Sequence, residues 1–454
     1  MSAPRAPNKS RDWYTARLLP ITAPTRRALL AAPFFVRHLL SAPPSDRVRL
    51  ASMGAAGMAF ATLDGIAKHS SVDLIAVAEI DTARNARLQA AYPNARLDQD
   101  WRRLLDREYK NLDAVCVGTP DHMHAPQAMA ALRRGLHVYC QKPLTSHVHE
   151  ARRLARTAAS KRLVTQMGIQ VHSAAQYRTA VAVVQSGTIG KIREVHAWSS
   201  KKWGDPAPRP ATTDPIPASL DWDGWIGVAQ PVPYIKNYCH PGNWRKRLEF
   251  GTGTFGDMGC HIYDPVFGAL GLTAPLTVRA EGPAPTADHW AINAIVKYVF
   301  PRTPYTENDT VAVTWYDGDE RPPRPIQALI ESTPLPDQGS IFVGTKGVML
   351  LPHVAFPQLF PQASFAGYQL PAGIAANNHY FEFVEAIKGN AQTSTPFNGY
   401  AGPLSEAVLL GSLATRFPQT TLTWDSARLR FTGHREASRF LKRKYRAGWK
   451  SKGL

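Results

Sequence analysis

Three side chains in this sequence have the types and the spacing for proton chemistry on an oxygen. Lys142 ends the apolar run Val138-Tyr139-Cys140-Gln141 and is followed by Pro143. Such a run reads as a buried strand, and a lysine at the carboxyl end of a parallel strand points into the crevice where open α/β sheets take ligands. The proline keeps Lys142 out of the helical region and holds it extended. The other two side chains lie in Gly251-Thr252-Gly253-Thr254-Phe255-Gly256-Asp257-Met258-Gly259-Cys260-His261-Ile262-Tyr263-Asp264. Its glycines form a turn and a helix is expected from near Thr254. Asp257 and His261, i and i+4, then share one face, and Asp264 continues the stripe. A carboxylate beside an imidazole fixes its tautomer and raises its basicity, as a general base requires. The same pair could be structural, or could ligate zinc. A lysine in the same crevice would repel a divalent cation, so no metal is expected.

The elements that must position these groups begin at Arg47. Val48–Met53 reads as a strand, Gly54-Ala55-Ala56-Gly57-Met58-Ala59 as a turn, and the run to His69 as a helix. Strand, glycine turn and helix amino terminus are the parts of a dinucleotide fingerprint, although Ala56 and Ala59 replace the second and third glycines. Gly54, Ala56, Gly57 and Met58 are therefore candidate cofactor residues. The next strand, Val72–Ala78, ends in Glu79, 25 residues after Gly54. An acid there accepts from a ribose 2′-hydroxyl and repels a 2′-phosphate, which favours NAD over NADP; Arg84 nearby leaves NADP open. A helix over 98–109, a strand over 112–117, the loop Thr119-Pro120-Asp121-His122-Met123-His124, a helix over 125–134 and the Lys142 strand follow. This alternation predicts a doubly wound parallel sheet, with the Thr119 loop and Lys142 facing one crevice.

From about Arg47 to the carboxyl terminus the chain resembles the glucose–fructose oxidoreductase/inositol dehydrogenase (Gfo/Idh/MocA) family. The resemblance is carried by the Gly54–Ala59 turn, Thr119 to His124, Gln141-Lys142-Pro143 and Gly253 to Asp264. It implies an α/β fold: a Rossmann domain, then an α+β domain with a large, mainly antiparallel open sheet whose face makes a homo-oligomer. It implies Lys142, Asp257 and His261 as catalytic residues. Thr119, Pro120, His122, His124, Gln141 and Lys142 join the cofactor set. His172, Trp244 and Arg245 join Lys142, Asp257 and His261 around the substrate. The family's usual triplet is Glu-Lys-Pro; Gln141 can still hydrogen-bond a nicotinamide ribose but brings no charge to Lys142. The expected divisions are 1–45 (export signal and linker), 46–168 (dinucleotide-binding) and 169–454 (substrate-binding and oligomerisation).

Within the second domain, residues 203–245 are rich in Pro and Trp, including Trp203, Trp222, Trp225 and Trp244. A loop of this length in a compact domain is usually functional. It reads either as a carbohydrate wall or as a tryptophan-packed excursion or subunit contact. Strands are expected over 310–316, 326–332 and 340–351, and helices over 379–388, 404–417 and 436–445.

The 454 residues carry a formal charge of +18, of which residues 1–42, with seven Lys/Arg and one acid, supply +6 and leave +12. The basic residues form no recognised nucleic-acid module, which excludes that partner class; an anionic substrate or a charged envelope surface suits them better. No apolar run reaches 18 residues, so no transmembrane span is expected. Four scattered cysteines read as buried free thiols rather than a disulfide framework. Arg26-Arg27 before the apolar stretch Ala28–Val36, then Ser41-Ala42 and Pro43-Pro44, has the layout of a twin-arginine export signal and predicts a periplasmic protein; the alternative is a basic arm on a cytoplasmic one.

The leading expectation is an NAD-dependent oxidoreductase of a sugar or glycoside secondary hydroxyl. His261 would take the hydroxyl proton, Lys142 stabilise the alkoxide, and Asp257 orient His261. The alternatives are an NAD-dependent glycoside-cleaving enzyme that returns the hydride, and a non-catalytic sugar-binding protein that retains NAD.

Overall fold

The computed structural model describes residues 47–454; the export segment expected over 1–45 lies outside the described residues. The first sheet has six strands in the order β3-β2-β1-β4-β5-β6, all parallel. They are β1 (Val48–Met53), β2 (Val72–Ala78), β3 (Arg96–Asp98), β4 (Ala114–Val117), β5 (His137–Cys140) and β6 (Thr165–Met167). β1, β4, β5 and β6 are almost wholly buried, as parallel strands covered on both faces must be. The crossovers are α1 (Met58–Ala67), α2 (Ala86–Ala91), α3 (Trp101–Glu108), α4 (Asp121–Arg133) and α5 (Val148–Lys161). α4 begins four residues before the helix expected at 125, so the Thr119 loop is short. Pro120, extended at the N-cap, and Asp121 in the first turn both favour a start there.

The second sheet has nine strands in the order β13-β12-β11-β7-β10-β9-β8-β14-β15. They are β7 (Ile192–Ser199), β8 (Thr277–Glu281), β9 (Ile295–Pro301), β10 (Thr310–Asp317), β11 (Gln338–Gly344), β12 (Val348–Pro352), β13 (Gln358–Phe360), β14 (Thr421–Asp425) and β15 (Arg430–Thr432). Only the β7–β10 pair is parallel. The strand expected over 340–351 is a hairpin, β11–β12, turned at Thr345-Lys346-Gly347. The strand expected over 326–332 is not formed; its first residues belong to a short helix, Arg324–Ala328, because Pro323 and Pro325 suit a helix start and not a ladder. One face of this sheet packs on α8 (Gly253–Leu270) and the helix Gly402–Ala414, α6 (Ala175–Gln185) packs on α8, and α7 (Trp222–Ile226) lies in the long excursion. Trp315, Val313 and Phe342 meet Phe255, Tyr263 and Val408 there, in a core continuous with Val115 and Val138 of the first sheet and Leu154 of α5. On the other face Trp198, Ile341, Leu350 and Phe360 pack with Ile326 and Ile330, so part of that face carries its own cover.

Chain order and spatial grouping part company in two places. The helix His379–Ile387 packs on α1, with Phe383 and Val384 against Val48, Leu50 and Tyr139 of the first sheet. The final helix ends at Arg439, not near 445 as expected. The chain beyond it returns to the first domain, where Tyr445 donates to Glu150 and Trp449 packs on Met123. The four cysteines are free and buried. Among the described residues no helix is long and apolar enough to cross a membrane.

Candidate active site

Two adjoining clefts meet between the domains. The first, about 320 Å³, is lined by Gly54, Ala56, Gly57, Met58, Glu79, Thr119 and Pro120 on the sheet side and by Trp225, His240, Trp244 and Arg245 on the other. Gly57, at φ 58°, heads α1, which has no side-chain cap, so its amino-terminal N–H groups are available to an anion. A Cβ on Gly54 would lie 2.8 Å from the Ala59 methyl, and one on Gly118 2.7 Å from it. The close strand–helix contact thus already holds one methyl and has no room for another. Glu79, 6% exposed, accepts from the N–H of Ala55 (2.8 Å) and of Asp81 (3.2 Å). A carboxylate offers about four acceptor positions, so capacity for a ribose hydroxyl remains. The buried indole N–H of Trp101, beside this cleft, has no partner. An uncapped helix end, a glycine turn and an acid at the end of β2 fit a dinucleotide.

The excursion expected to be a carbohydrate wall mainly roofs this first cleft. Trp222 and Trp225 stack at 4.7 Å and pack with Phe250, as a tryptophan-packed excursion would. The Asp81–Leu220 bridge and a hydrogen bond from His240 Nε2 to Asp81 Oδ2 (2.9 Å) fasten it to the end of β2. Trp203 and Trp244 are the tryptophans of this excursion that line the second cleft.

That second cleft, about 370 Å³, is lined by Lys142, Asp257 and His261 together, and shares Met58, Gly118, Thr119, Trp244 and Arg245 with the first. Lys142 Nζ donates to Asp257 Oδ1 at 2.7 Å and to the Asp257 carbonyl at 2.8 Å. Arg245 Nε donates to the same Oδ1 at 3.2 Å. Burial pushes the Asp257 carboxyl up, but Lys142 and Arg245 outweigh it and hold the group far below the usual carboxylate range. Asp257 makes no hydrogen bond to His261, contrary to the tautomer-holding role expected from their spacing; both cations bond its Oδ1. The His261 ring is buried and Nδ1 has no partner. Burial, aided by the Lys142 charge, keeps its pKa well below the ordinary value, so the imidazole is neutral. The Lys142–Pro143 peptide is cis.

Gln141 explains its own departure from Glu-Lys-Pro. Its Nε2 donates to Thr62 Oγ1 at 2.7 Å, while that hydroxyl donates to the Met58 carbonyl. A glutamate would have no hydrogen to offer Thr62. Its amide also lies where a Cβ on Gly168 would fall, 2.7 Å away. His124 sets one ring nitrogen 2.8 Å from the Pro143 carbonyl and the other 2.7 Å from that of Thr119. Burial holds it down to about 4, so it is neutral, donates to only one of them, and braces the Thr119 turn against the Lys142 turn.

Two expected residues are not brought into the clefts. His122 turns inward: its Nε2 contacts the Trp225 carbonyl at 3.0 Å and its ring packs on Trp225 and Phe250. Because α4 starts at Asp121, successive side chains there diverge by about a quarter turn, so His122 leaves the face that His124 occupies. His172 pairs through Nδ1 with Asp264 at 2.8 Å, and Asp264 also accepts from Tyr400. Burial lowers the His172 pKa, but the Asp264 charge outweighs it and the net shift is upward.

Other lining residues were not anticipated. Asp121 accepts from Thr252 Oγ1 at 2.7 Å, and burial pushes its carboxyl up to about 7. Gln170 and Lys201 complete the wall. The His353 ring lies 6.1 Å from that of His261, with its Nδ1 2.5 Å from Tyr177 Oη. None stands in a motif; only the quoted Thr119–His124 stretch contained one of them, Asp121.

A parallel nucleotide cleft joined to a lysine–carboxylate–histidine cleft defines the class: a two-domain, NAD-binding oxidoreductase. Residues 48–169 match the model of an oxidoreductase family's NAD-binding Rossmann fold, and residues 183–451 that family's C-terminal alpha/beta domain. The chain belongs to the Gfo/Idh/MocA oxidoreductase family. It is similar to dTDP-3,4-didehydro-2,6-dideoxy-alpha-D-glucose 3-reductase of Streptomyces antibioticus, 37% identical over 155 residues, or 34% of this chain and 46% of the relative. It is also similar to levoglucosan dehydrogenase of Pseudarthrobacter phenanthrenivorans, 22% identical over 56% of this chain and 52% of that enzyme. The chain thus spans about half the length of these curated relatives. Among solved structures, the WlbA dehydrogenase of Bordetella pertussis in complex with NADH and UDP-GlcNAcA has a TM-score of 0.57 at 15% identity, covering 84% of this chain and 99% of that one. The aldose-aldose oxidoreductase of Caulobacter crescentus has a TM-score of 0.55 at 15% identity, covering 83% of this chain and 100% of that one. At these identities the likeness is one of fold.

Proposed function

We propose that the protein oxidises or reduces a secondary hydroxyl position of a sugar or glycoside. The observation that carries this reading is the meeting of Lys142, from the dinucleotide domain, with Asp257 and His261, from the second domain, in a cleft continuous with the nucleotide cleft. The relatives named above act on, or are crystallised with, sugar derivatives, which supports the substrate class. Bound NAD supplies a hydride acceptor or donor at carbon. The side chains manage the oxygen. His261, neutral and lining the cleft, takes the hydroxyl proton in the oxidative direction. Lys142 donates to that oxygen and stabilises its developing negative charge. Asp257, itself bonded by Arg245, holds the ammonium in place, so Asp257 acts on Lys142 rather than on His261.

One observation favours a second reading, redox-neutral cleavage of a glycosidic bond. The excursion fastened across the nucleotide cleft suits a cofactor retained through turnover, and a retained cofactor favours returning the hydride to the same substrate. We further propose twin-arginine export of a folded, cofactor-loaded protein, which the same retention would serve, and a homo-oligomer formed through the uncovered part of the nine-stranded sheet.

The test is made on purified protein with nitrophenyl glycosides and no added NAD. NAD(H) released on denaturation is expected. Net NADH formation with added NAD and no nitrophenol supports dehydrogenation, and nitrophenol release supports cleavage. NAD retained with neither activity removes both readings.

A further inference from the structure

The hydrogen-bonding capacity of the second cleft is unbalanced. A neutral sugar offers hydroxyls, each both donor and acceptor, and a site built for one presents donors and acceptors in similar number. Here three cationic side chains, Lys142, Lys201 and Arg245, line the cleft with two carboxyl groups, Asp121 and Asp257. Asp257 Oδ1 takes hydrogen bonds from both Lys142 and Arg245. The other lining carboxyl, Asp121, is buried and bonded to Thr252. Two of the three cations, Arg245 and Lys201, keep donors without a protein partner. Arg245 makes its one polar contact through Nε, leaving its two terminal nitrogens free, and its guanidinium lies against Trp244 (4.2 Å) and Trp203 (5.4 Å), which orients the fork. Lys201 lines the cleft and is exposed, and its ammonium makes neither a hydrogen bond nor an ion pair, whereas the adjacent Lys202 is paired with Asp319 at 2.7 Å.

Lys201 is also held to the catalytic helix. The Trp203 N–H donates to Thr254 Oγ1 at 2.8 Å, and that hydroxyl lies 3.4 Å from the Lys201 carbonyl, so residues 201–203 are tied to the first turn of α8. Its charge is felt at His353, beside His261. Arg245 borders both clefts and could serve a cofactor phosphate. Lys201 lines the second cleft and not the first, which puts its charge on the side of Lys142 and His261.

We propose that the substrate is an anionic sugar, whose charged group is held by Lys201 with the free edge of Arg245 while its reacting hydroxyl lies at Lys142 and His261. This rests on the sugar-oxidoreductase reading above and names the class within it. A carboxylate on the ring and a phosphate ester both supply the required charge and acceptors.

The experiment uses the NAD-loaded full chain and matched pairs: methyl glucuronide with methyl glucoside, the galacto and manno equivalents, and glucose with glucose 6-phosphate. Binding is read by calorimetry. The charged member of at least one pair is expected to bind about tenfold tighter or more, with the preference falling as salt rises. If the uronide leads, the charge is a ring carboxylate; if the phosphate leads, it is a phosphate ester. Lys201→Met should abolish the charged member's advantage, lowering its affinity far more than the neutral member's, and Lys201→Arg should retain it. Equal binding within every pair, binding of neither member, or a preference untouched by Lys201→Met overturns the proposal. NAD affinity is measured in parallel: loss of NAD binding by the parent protein would remove the oxidoreductase reading itself, whereas normal NAD binding with no charge preference removes only this inference.

Discussion

At the residue scale, Lys142 and His261 are assigned to one substrate oxygen, so their losses should not add. Lys142→Ala and His261→Ala are each expected to lower turnover by roughly 10²–10⁴, and the double variant should fall little further, as for residues acting as a unit. A double-mutant cycle on turnover, with bound NAD quantified, checks this; additive losses would separate their roles. Because His261 is held neutral, the acid limb of its rate profile should lie below pH 6.5 rather than at the ordinary histidine value. Asp121 makes a stability prediction. Folding raises its pKa from 3.8 to about 7, so the folded protein keeps this proton to higher pH than the unfolded chain. The stability tied to that proton is complete below about pH 4 and is lost as pH rises through about 7. Asp121→Asn removes the loss, and is expected to stabilise the protein by up to ~4 kcal/mol near pH 8 and by almost nothing near pH 4. Denaturant unfolding at the two pH values reads this directly.

At the element scale, cofactor binding depends on how closely α1 approaches the ends of β1 and β4. Gly118 has no room for a methyl: its Cβ would lie 2.7 Å from the Ala59 Cβ and 2.8 Å from its Cα. Gly118→Ala must therefore push the head of α1 outward. It is expected to cost about 1–3 kcal/mol of stability, as overpacking does, and to weaken NAD binding. The control is Gly135→Ala, in a turn where a Cβ meets nothing within 4 Å although φ is 84°. It should cost stability through backbone strain alone and leave NAD affinity unchanged. Calorimetric NAD titration of the two variants separates the effects.

At the scale of the whole molecule, a buried ion pair joins the domains. Arg152 of α5 meets Glu406 of the helix Gly402–Ala414, with side chains 2% and 1% exposed, and Glu406 also accepts from Trp424. Removing one partner strands the other's charge, so Arg152→Met should cost about 3–5 kcal/mol. Arg152→Met with Glu406→Leu should cost much less, since no charge is then left buried. Equal losses in urea unfolding would refute the pairing as the cause. Export belongs to this scale too. Residues 1–45 fused to a reporter that must fold before export should carry it to the periplasm, and Arg26→Lys with Arg27→Lys should stop it; unchanged export in the double variant would sink the twin-arginine proposal.

What the amino-acid order determined by itself was local or periodic. Alternating apolar runs and helical stretches specify a parallel sheet, because each element must bury its own apolar face. The Gly54–Ala59 turn, Glu79 at the end of β2, Lys142 before its proline and the Asp257–His261 spacing were legible because each is a short-range geometric demand. Tertiary structure decided the partners. Asp257 bonds Lys142, 115 residues away, rather than His261 four residues away, because a buried carboxylate goes to the nearest charge and not to the nearest neighbour in sequence. His122 and His124 were indistinguishable in a loop; the helix start at Asp121 sent one into the tryptophan cluster and the other between two turns. The excursion's tryptophans could have faced a sugar or a core, and only packing against Phe250 and the end of β2 assigned most of them to the core. Lys201, Gln170 and His353 carry no sequence signal, since a side chain becomes part of a site when distant segments place it there.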